Sequence, residues 1–213
     1  MSIVDVLQVS EIERNSFPSS WPPTPLKREL SNRMAHYLVA YAPLANAFPE
    51  GTTADAPTVT SSLLPFRILR NLRSRIGLQS STSRLSEDLI TGYVGIWLMT
   101  DEAHITSIAV KQEYRRSGIG ELLMLASIKL AMMKAARLMT LEARVSNFGA
   151  HALYEKYGYR KVGIRKGYYL DNNEDAVIMS TDTIVSPEYE SIYSSRLADF
   201  RERRGEIALD LGL

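Results

Sequence analysis

The chain contains no cysteine among its 213 residues, which excludes disulfide bonds, thiolate metal sites and a cysteine nucleophile. No apolar run approaches the ~20 residues needed to span a bilayer. The first ten residues have neither the basic region nor the apolar core of a cleaved secretion signal. We therefore expect a cytoplasmic protein that does not enter membranes.

The chain also lacks an excess of charge of either sign. Its formal net charge is +1, so the protein as a whole does not attract nucleic acid or anionic lipid, and we expect neither as a direct partner. The three histidines (His36, His104 and His151) lack the spacing of metal ligands, so we assign them no role and expect no metal. The length allows one domain with a full core and an appendage.

What is present is a regular succession of strand-like and helix-like patterns. Strands are predicted at 3–7, 36–42, 90–99, 103–110, 138–145, 160–169 and 175–183. Helices are predicted at 8–17, 26–31, 118–136 and 148–157, the last begun by Asn147 and ended by Gly158. This order predicts a mixed α/β fold.

Two segments stand outside this pattern. Residues 44–87 are rich in Ser, Thr and Pro and lack periodicity, which predicts a long, partly mobile insertion. Within it, residues 66–76 have the apolar spacing of a short amphipathic helix. Residues 185–213 carry an aromatic and apolar stripe at helical spacing, which predicts a helix that docks on the domain. The members of that stripe are Tyr189, Tyr193, Leu197 and Phe200.

The most informative stretch lies between the strand ending near residue 110 and the helix that follows. It reads Arg115-Arg116-Ser117-Gly118-Ile119-Gly120. Glycines allow the backbone to turn sharply and approach a ligand closely, and unpaired N–H groups at a helix N-terminus favour an anion such as a diphosphate. The alternative is an ordinary strand-to-helix turn with a solvated arginine pair.

The order of elements and this stretch together resemble the GNAT superfamily of acetyl-coenzyme A-dependent N-acetyltransferases. Its signature, Arg/Gln-x-x-Gly-x-Gly/Ala, is matched by Arg115, Gly118 and Gly120. Three further stretches, at 141–147, 152–159 and 168–179, are similar to the RimI branch. That branch acetylates protein N-terminal α-amines, typically of a ribosomal protein that begins with alanine.

The resemblance covers about residues 1–43 and 87–184. It implies a GNAT domain over 1–184, interrupted by the 44–87 insertion and followed by a helical extension over 185–213. It also implies a central, mostly antiparallel mixed sheet flanked by helices, and acetyl-coenzyme A as cosubstrate.

The resemblance assigns roles in cofactor binding. The backbone of one strand end would align the acetyl-pantetheine arm, through Ile108, Ala109 and Val110. Asn147 would contact the pantetheine, and Arg115 belongs to the signature. Backbone N–H groups would hold the diphosphate, from Arg116, Ser117, Gly118, Ile119, Gly120 and Glu121.

It also implies that Glu142 is the general base and that Tyr154 lies at the departing thiol. A free α-amine has a pKa near 7.7–8.0, so a single carboxylate could deprotonate it. Taken without the flanking motif, Glu142 could equally pair with Arg144 or another surface cation. An ordinary phenol is a weaker acid than a thiol, so Tyr154 is expected to stabilise the thiolate by hydrogen bonding.

Four loop aromatics are implied to line the peptide groove: Phe17, Trp21, Tyr168 and Tyr169. Phe17 and Trp21 could instead fasten the first two helices to the core. The reading is direct acetyl transfer to a protein N-terminus, with a ribosomal protein as the expected substrate. Two alternatives remain: an acetyltransferase for lysine side chains or small polyamines, and a catalytically silent acyl-coenzyme A sensor. The oligomeric state is left open.

Overall fold

A computed structural model describes residues 1–18, 22–43, 67–69 and 88–211. Its centre is an eight-stranded sheet. Six strands form the body of the sheet, and their bounds are Ala35–Pro43 (β1), Asp88–Met99 (β3), Glu102–Val110 (β4), Leu138–Arg144 (β5), Tyr159–Tyr169 (β6) and Glu174–Thr181 (β7). Two three-residue strands extend one edge, β2 at Arg67–Leu69 and β8 at Ala208–Asp210. The order of strands across the sheet is β6-β7-β5-β4-β3-β1-β2-β8.

Five α-helices accompany the sheet in the described ranges. They are α1 (Val6–Ser16), α2 (Leu26–Glu29), α3 (Ile119–Met133), α4 (Phe148–Lys156) and α5 (Pro187–Arg204). None of the helices in these ranges is long and apolar enough to cross a membrane.

Neighbouring strands are antiparallel except for β4 with β5 and β2 with β8. The predicted mixed α/β architecture with a mostly antiparallel sheet is therefore confirmed. Each face of the sheet carries its own apolar cluster. One contains the buried residues of α3 and α5, and the other contains those of α1 and α2. Helices therefore cover both faces, as the apolar residues on each side of the sheet require.

Helix α5 packs directly on the core, as its aromatic stripe predicts. Tyr189, Tyr193 and Phe200 are 4%, 5% and 0% exposed, and the Tyr189 hydroxyl donates to the Tyr157 carbonyl at 2.7 Å. The division of the chain between residues 184 and 185 stays a prediction. The contacts of α5 nevertheless bind it closely to the rest of the fold.

Two local predictions are wrong. Residues 3–7 were expected to form a strand, but Ile3–Asp5 is a 3₁₀ turn that leads into α1. The reason is a capping box, in which Asp5 accepts hydrogen bonds from the backbone and hydroxyl of Ser2 and favours a helix start.

The predicted amphipathic helix at 66–76 fails at Arg67–Leu69, which is a strand. Its backbone pairs with β1 on one side and β8 on the other, and these long-range partners override the helical spacing. The other residues of that helix and of the proposed insertion lie outside the described ranges.

Candidate active site

Strands β4 and β5 separate at the centre of the sheet. Their parallel pairing begins at Glu102 opposite Leu138 and ends at Ile105 opposite Leu141. Strand β4 then continues to Val110 along β3 alone, after a bulge opposite Gly95 and Ile96. Within the described ranges, the final residues of β4 thus have one edge without a strand partner. Such an edge can add an extended ligand through main-chain hydrogen bonds.

A cavity of about 710 Å³ opens at this separation. Its walls come from β4, β5, the residues that join α1 to α2, and the end of β6. It brings together seven of the predicted site residues: Phe17, Ile108, Glu142, Asn147, Tyr154, Tyr168 and Tyr169. Trp21 lies outside the described residues, so its predicted role stays a prediction.

The glycine turn follows β4 and starts α3. Arg116 and Gly118 have positive φ angles of 64° and 97°. The first helical bond runs from the Leu122 N–H to the Gly118 carbonyl, so the N–H groups of the preceding turn have no intrahelical partner. The N-cap residue, Gly118, has no side chain that could cap these N–H groups. Consecutive free N–H groups in such a turn fit a diphosphate, so the site can hold the cosubstrate that the resemblance implies.

The two glycines of the turn differ in whether the structure could accommodate a side chain in their place. A Cβ on Gly118 would be strained by its φ of 97° and would lie 3.2 Å from Nε of Arg204. A Cβ on Gly120 would lie 3.7 Å from Leu153, an ordinary van der Waals distance. Only Gly118 is therefore required by the backbone.

We expect Gly118→Ala to lower the free energy of unfolding by about 1–2 kcal/mol, because alanine is strained at positive φ. The distorted turn should also weaken coenzyme A binding several-fold. Gly120→Ala is the matched control and should leave both quantities nearly unchanged. Chemical denaturation and calorimetric titration with coenzyme A measure the two effects, and equal losses in both variants would contradict this account of the turn.

Two charged side chains of the turn are engaged by the protein itself. The Arg115 Nε donates to the Val110 carbonyl at 3.2 Å. The Glu121 carboxylate accepts from Arg203 and from the Tyr157 hydroxyl, both at 2.9 Å, and pairs with Lys156. Burial alone would raise the pKa of Glu121, but these hydrogen bonds outweigh it and hold that pKa below its ordinary value.

Glu142 lies on β5, at the wall of the cavity, with its side chain 10% exposed. One carboxylate oxygen is 3.3 Å from Nε2 of His104 and the other is 3.0 Å from the Arg165 guanidinium. The hydrogen bond with His104 is the main cause that holds the pKa of Glu142 below its ordinary value, and Arg165 adds to it against the opposing effect of burial. Glu142 is thus an ionised, partly buried carboxylate.

The sequence left open a pairing of Glu142 with Arg144 or with another surface cation. The structure pairs Glu142 with Arg165, an exposed cation, and not with Arg144. Arg144 binds Asp171 at 2.7 Å and Glu174 at 3.1 Å, and its guanidinium stacks 3.9 Å from the centre of the Tyr169 ring. Arg144 therefore holds the β6–β7 turn and one aromatic wall of the cavity.

The expectation that His104 has no role overlooked its place beside Glu142. Its Nδ1 lies 2.8 Å from the Thr140 hydroxyl, which in turn donates to Glu102. A continuous hydrogen-bonded chain thus leads from Glu142 through His104 and Thr140 to Glu102. The alternation of β5 puts Thr140 and Glu142 on one face, but only the pairing of β4 with β5 places His104 opposite Thr140.

Tyr154 lies on α4, which is capped by Asn147 through its side-chain oxygen and the Ala150 N–H at 3.2 Å. The tyrosine is 6% exposed and lines the cavity. Burial raises the pKa of its phenol well above the ordinary 10. Its hydroxyl has no hydrogen-bond partner among the described residues, so it is available to a ligand.

Two aromatic residues that line the cavity lie beside cations. Tyr168 and Tyr169 meet edge to face at 5.2 Å, and Arg165 lies 5.5 Å from the Tyr168 ring. Phe17 lines the cavity and also packs against the apolar cluster of α1. Both readings of Phe17, as a groove residue and as a fastener of the first helix, are therefore compatible with its position.

Comparison with known proteins places these features in a family. The model of the acetyltransferase (GNAT) family matches residues 65–159. A Bacillus subtilis protein, provisionally named a ribosomal protein bS18-alanine N-acetyltransferase, is 36% identical over 180 residues, which cover 84% of this chain and 90% of that protein. An N-alpha-acetyltransferase of Saccharolobus solfataricus is 50% identical over 82 residues, which cover 37% of this chain and 47% of that protein.

A solved structure has the same fold. The crystal structure of the ribosomal-protein-S18-alanine N-acetyltransferase from Escherichia coli superposes with a TM-score of 0.57 and 21% identity. The superposition covers 86% of this chain and 90% of that one.

Proposed function

Because this chain belongs to the GNAT family and is an acetyl-coenzyme A-dependent N-acetyltransferase, we propose that its acceptor is the N-terminal α-amine of a protein. The expected substrate is a small-subunit ribosomal protein that begins with alanine, because relatives of this chain are named as N-acetyltransferases of the alanine of ribosomal protein bS18. The observation that carries the proposal is the ionised Glu142 in the cavity between β4 and β5, with Tyr154 lining the same cavity.

The acidity of Glu142 fits an α-amine better than a lysine. With a pKa of about 7.7–8.0, roughly a tenth of N-terminal amines are neutral at pH 7, against well under a thousandth of lysine amines with a pKa near 10.4. A carboxylate with a lowered pKa is a weak base and favours the acceptor that requires less help. Among the described residues the cavity lining holds one other carboxylate, Glu29, and no carboxylate is among the causes that shift the pKa of Glu142.

The reaction is direct attack of the neutral amine on the thioester carbonyl. The amine nitrogen forms the new bond to the acetyl carbon, the bond from that carbon to sulfur breaks, and the proton lost by nitrogen passes to Glu142. His104 contacts the Glu142 carboxylate, and the Thr140 hydroxyl, which donates to Glu102, orients the His104 ring. The Tyr154 hydroxyl donates a hydrogen bond to the departing thiolate.

A peptide library tests the acceptor. We expect peptides with a free N-terminal alanine to be acetylated at least a hundredfold faster than N-blocked peptides with an internal lysine, since protonation alone gives a factor of this order. Mass spectrometry of the products locates the acetyl group. Faster acetylation of lysine or of polyamines would instead indicate an acetyltransferase for side chains or small amines. Binding of coenzyme A without any acetylated product would indicate a catalytically silent sensor.

A further inference from the structure

The end of α5 lies against the glycine turn that starts α3. A Cβ on Gly118 would lie 3.2 Å from Nε of Arg204 and 3.5 Å from the ring of Phe200. Phe200 is fully buried, so the backbone that carries Arg204 is firmly seated at this position. The C-terminal helix is thus a direct neighbour of the turn that offers N–H groups to the diphosphate.

The three arginines at the C-terminal end of α5 differ in their ion-pair partners. Arg201 pairs with Glu206 at 3.4 Å, and Arg203 pairs with Glu121 at 2.9 Å. Arg204 is half-buried and has no ion-pair partner among the described residues. It therefore carries an uncompensated positive charge beside the turn.

The surroundings explain why a free cation is useful there. The carboxylate of Glu121 and the negative end of the α5 dipole both lie near the turn and would repel a diphosphate. Arg203 and Lys156 already offset Glu121. The positive charge of Arg204 is therefore not needed to neutralise Glu121, and it can offset the negative end of the α5 dipole and the charge of the diphosphate.

We propose that Arg204, from the C-terminal helix, is a binding residue for the diphosphate of acetyl-coenzyme A. The inference rests on acetyl-coenzyme A as the cosubstrate and is independent of which amine is acetylated. It makes α5 a part of the cofactor site, in addition to its packing on the core.

Calorimetric titration with coenzyme A tests the proposal on the full-length protein. We expect Arg204→Gln to raise the dissociation constant about tenfold at low salt, the loss typical of one charge-assisted contact that is partly open to solvent. Arg201→Gln removes the same charge from the same helix end at an ion pair away from Gly118, and it should stay within about twofold of the wild type. Equal affinity in the Arg204 variant and the wild type would overturn the proposal, as would an equal loss in both variants.

Two further arms define the contact. With 3′-dephospho-coenzyme A, which keeps the diphosphate, Arg204→Gln should lose the same factor, whereas disappearance of the loss would assign Arg204 to the 3′-phosphate and overturn the proposal. Arg204→Lys keeps the charge and should retain most of the affinity for coenzyme A, even if Arg204→Gln disturbs folding. If Arg204→Lys binds coenzyme A as weakly as Arg204→Gln, the proposal is overturned. These experiments measure only the binding of coenzyme A, so their outcomes do not depend on which amine the peptide library identifies as the acceptor.

Discussion

Replacing Glu142 by Gln should lower kcat/KM for an alanine-initiated peptide by about 10²- to 10³-fold. Positioned general bases contribute about 10²–10⁴-fold, and glutamine keeps the size of the side chain while losing its basicity. Binding of coenzyme A should remain within about twofold of the wild type, because Glu142 lies away from the glycine turn. Steady-state kinetics and calorimetric titration measure the two quantities.

Glu155→Gln is the matched control for this variant. Glu155 is an exposed carboxylate on α4, so the same substitution there should leave kcat/KM unchanged. A wild-type rate in Glu142→Gln, or an equal loss in the control, would remove Glu142 from the mechanism.

The expected pH dependence of kcat/KM follows from the direction in which the pKa of Glu142 is shifted. Since its pKa lies below the ordinary value, the basic form already predominates well below neutral pH, and the enzyme does not gain activity from its titration near pH 7. The rise of kcat/KM with pH should therefore follow the substrate α-amine, with an inflection near its pKa of about 7.7–8.0. Glu142→Gln should lower the plateau without moving this inflection.

Local patterns predicted most of the fold correctly. Strands and helices between residues 88 and 204 agree with the sequence periodicity, because each has an apolar face with a regular local spacing. The strand at Ala208–Asp210 was not predicted, since it lies in the stretch expected to be helical and pairs with β2. The errors at residues 3–7 and at Arg67–Leu69 have different causes. The first is a capping interaction of a single carboxylate, and the second is a pairing with strands distant in the sequence.

The same distinction applies to the site. The glycine turn could be identified from the sequence, since its residues are contiguous and its conformation depends on Gly118 itself. His104 and Arg165 could not be identified, because their contacts with Glu142 join three strands whose order no local pattern specifies. Arg204 was missed for the same reason: it is near Gly118 only in the folded protein.

Replacing Tyr154 by Phe should lower kcat about 10- to 100-fold and leave the KM for acetyl-coenzyme A within about twofold. An ordinary phenol is already about 1.5 pKa units less acidic than a thiol, so complete proton donation costs at least about 2 kcal/mol, and burial raises the pKa of Tyr154 further. Stabilisation of the thiolate by a hydrogen bond avoids this cost. Hydrogen bonds to charged groups contribute about 1.5–3 kcal/mol, which sets the expected loss.

Tyr159→Phe is the control that separates the hydroxyl of Tyr154 from its ring. The Tyr159 ring lies 5.9 Å from that of Tyr154 and is 1% exposed, and its buried hydroxyl has no partner among the described residues. Losing that hydroxyl should leave kcat unchanged and should not lower the melting temperature. If Tyr154→Phe keeps the wild-type kcat, or if Tyr159→Phe loses as much, the leaving thiolate is stabilised by another group and the place of Tyr154 in the cavity is structural.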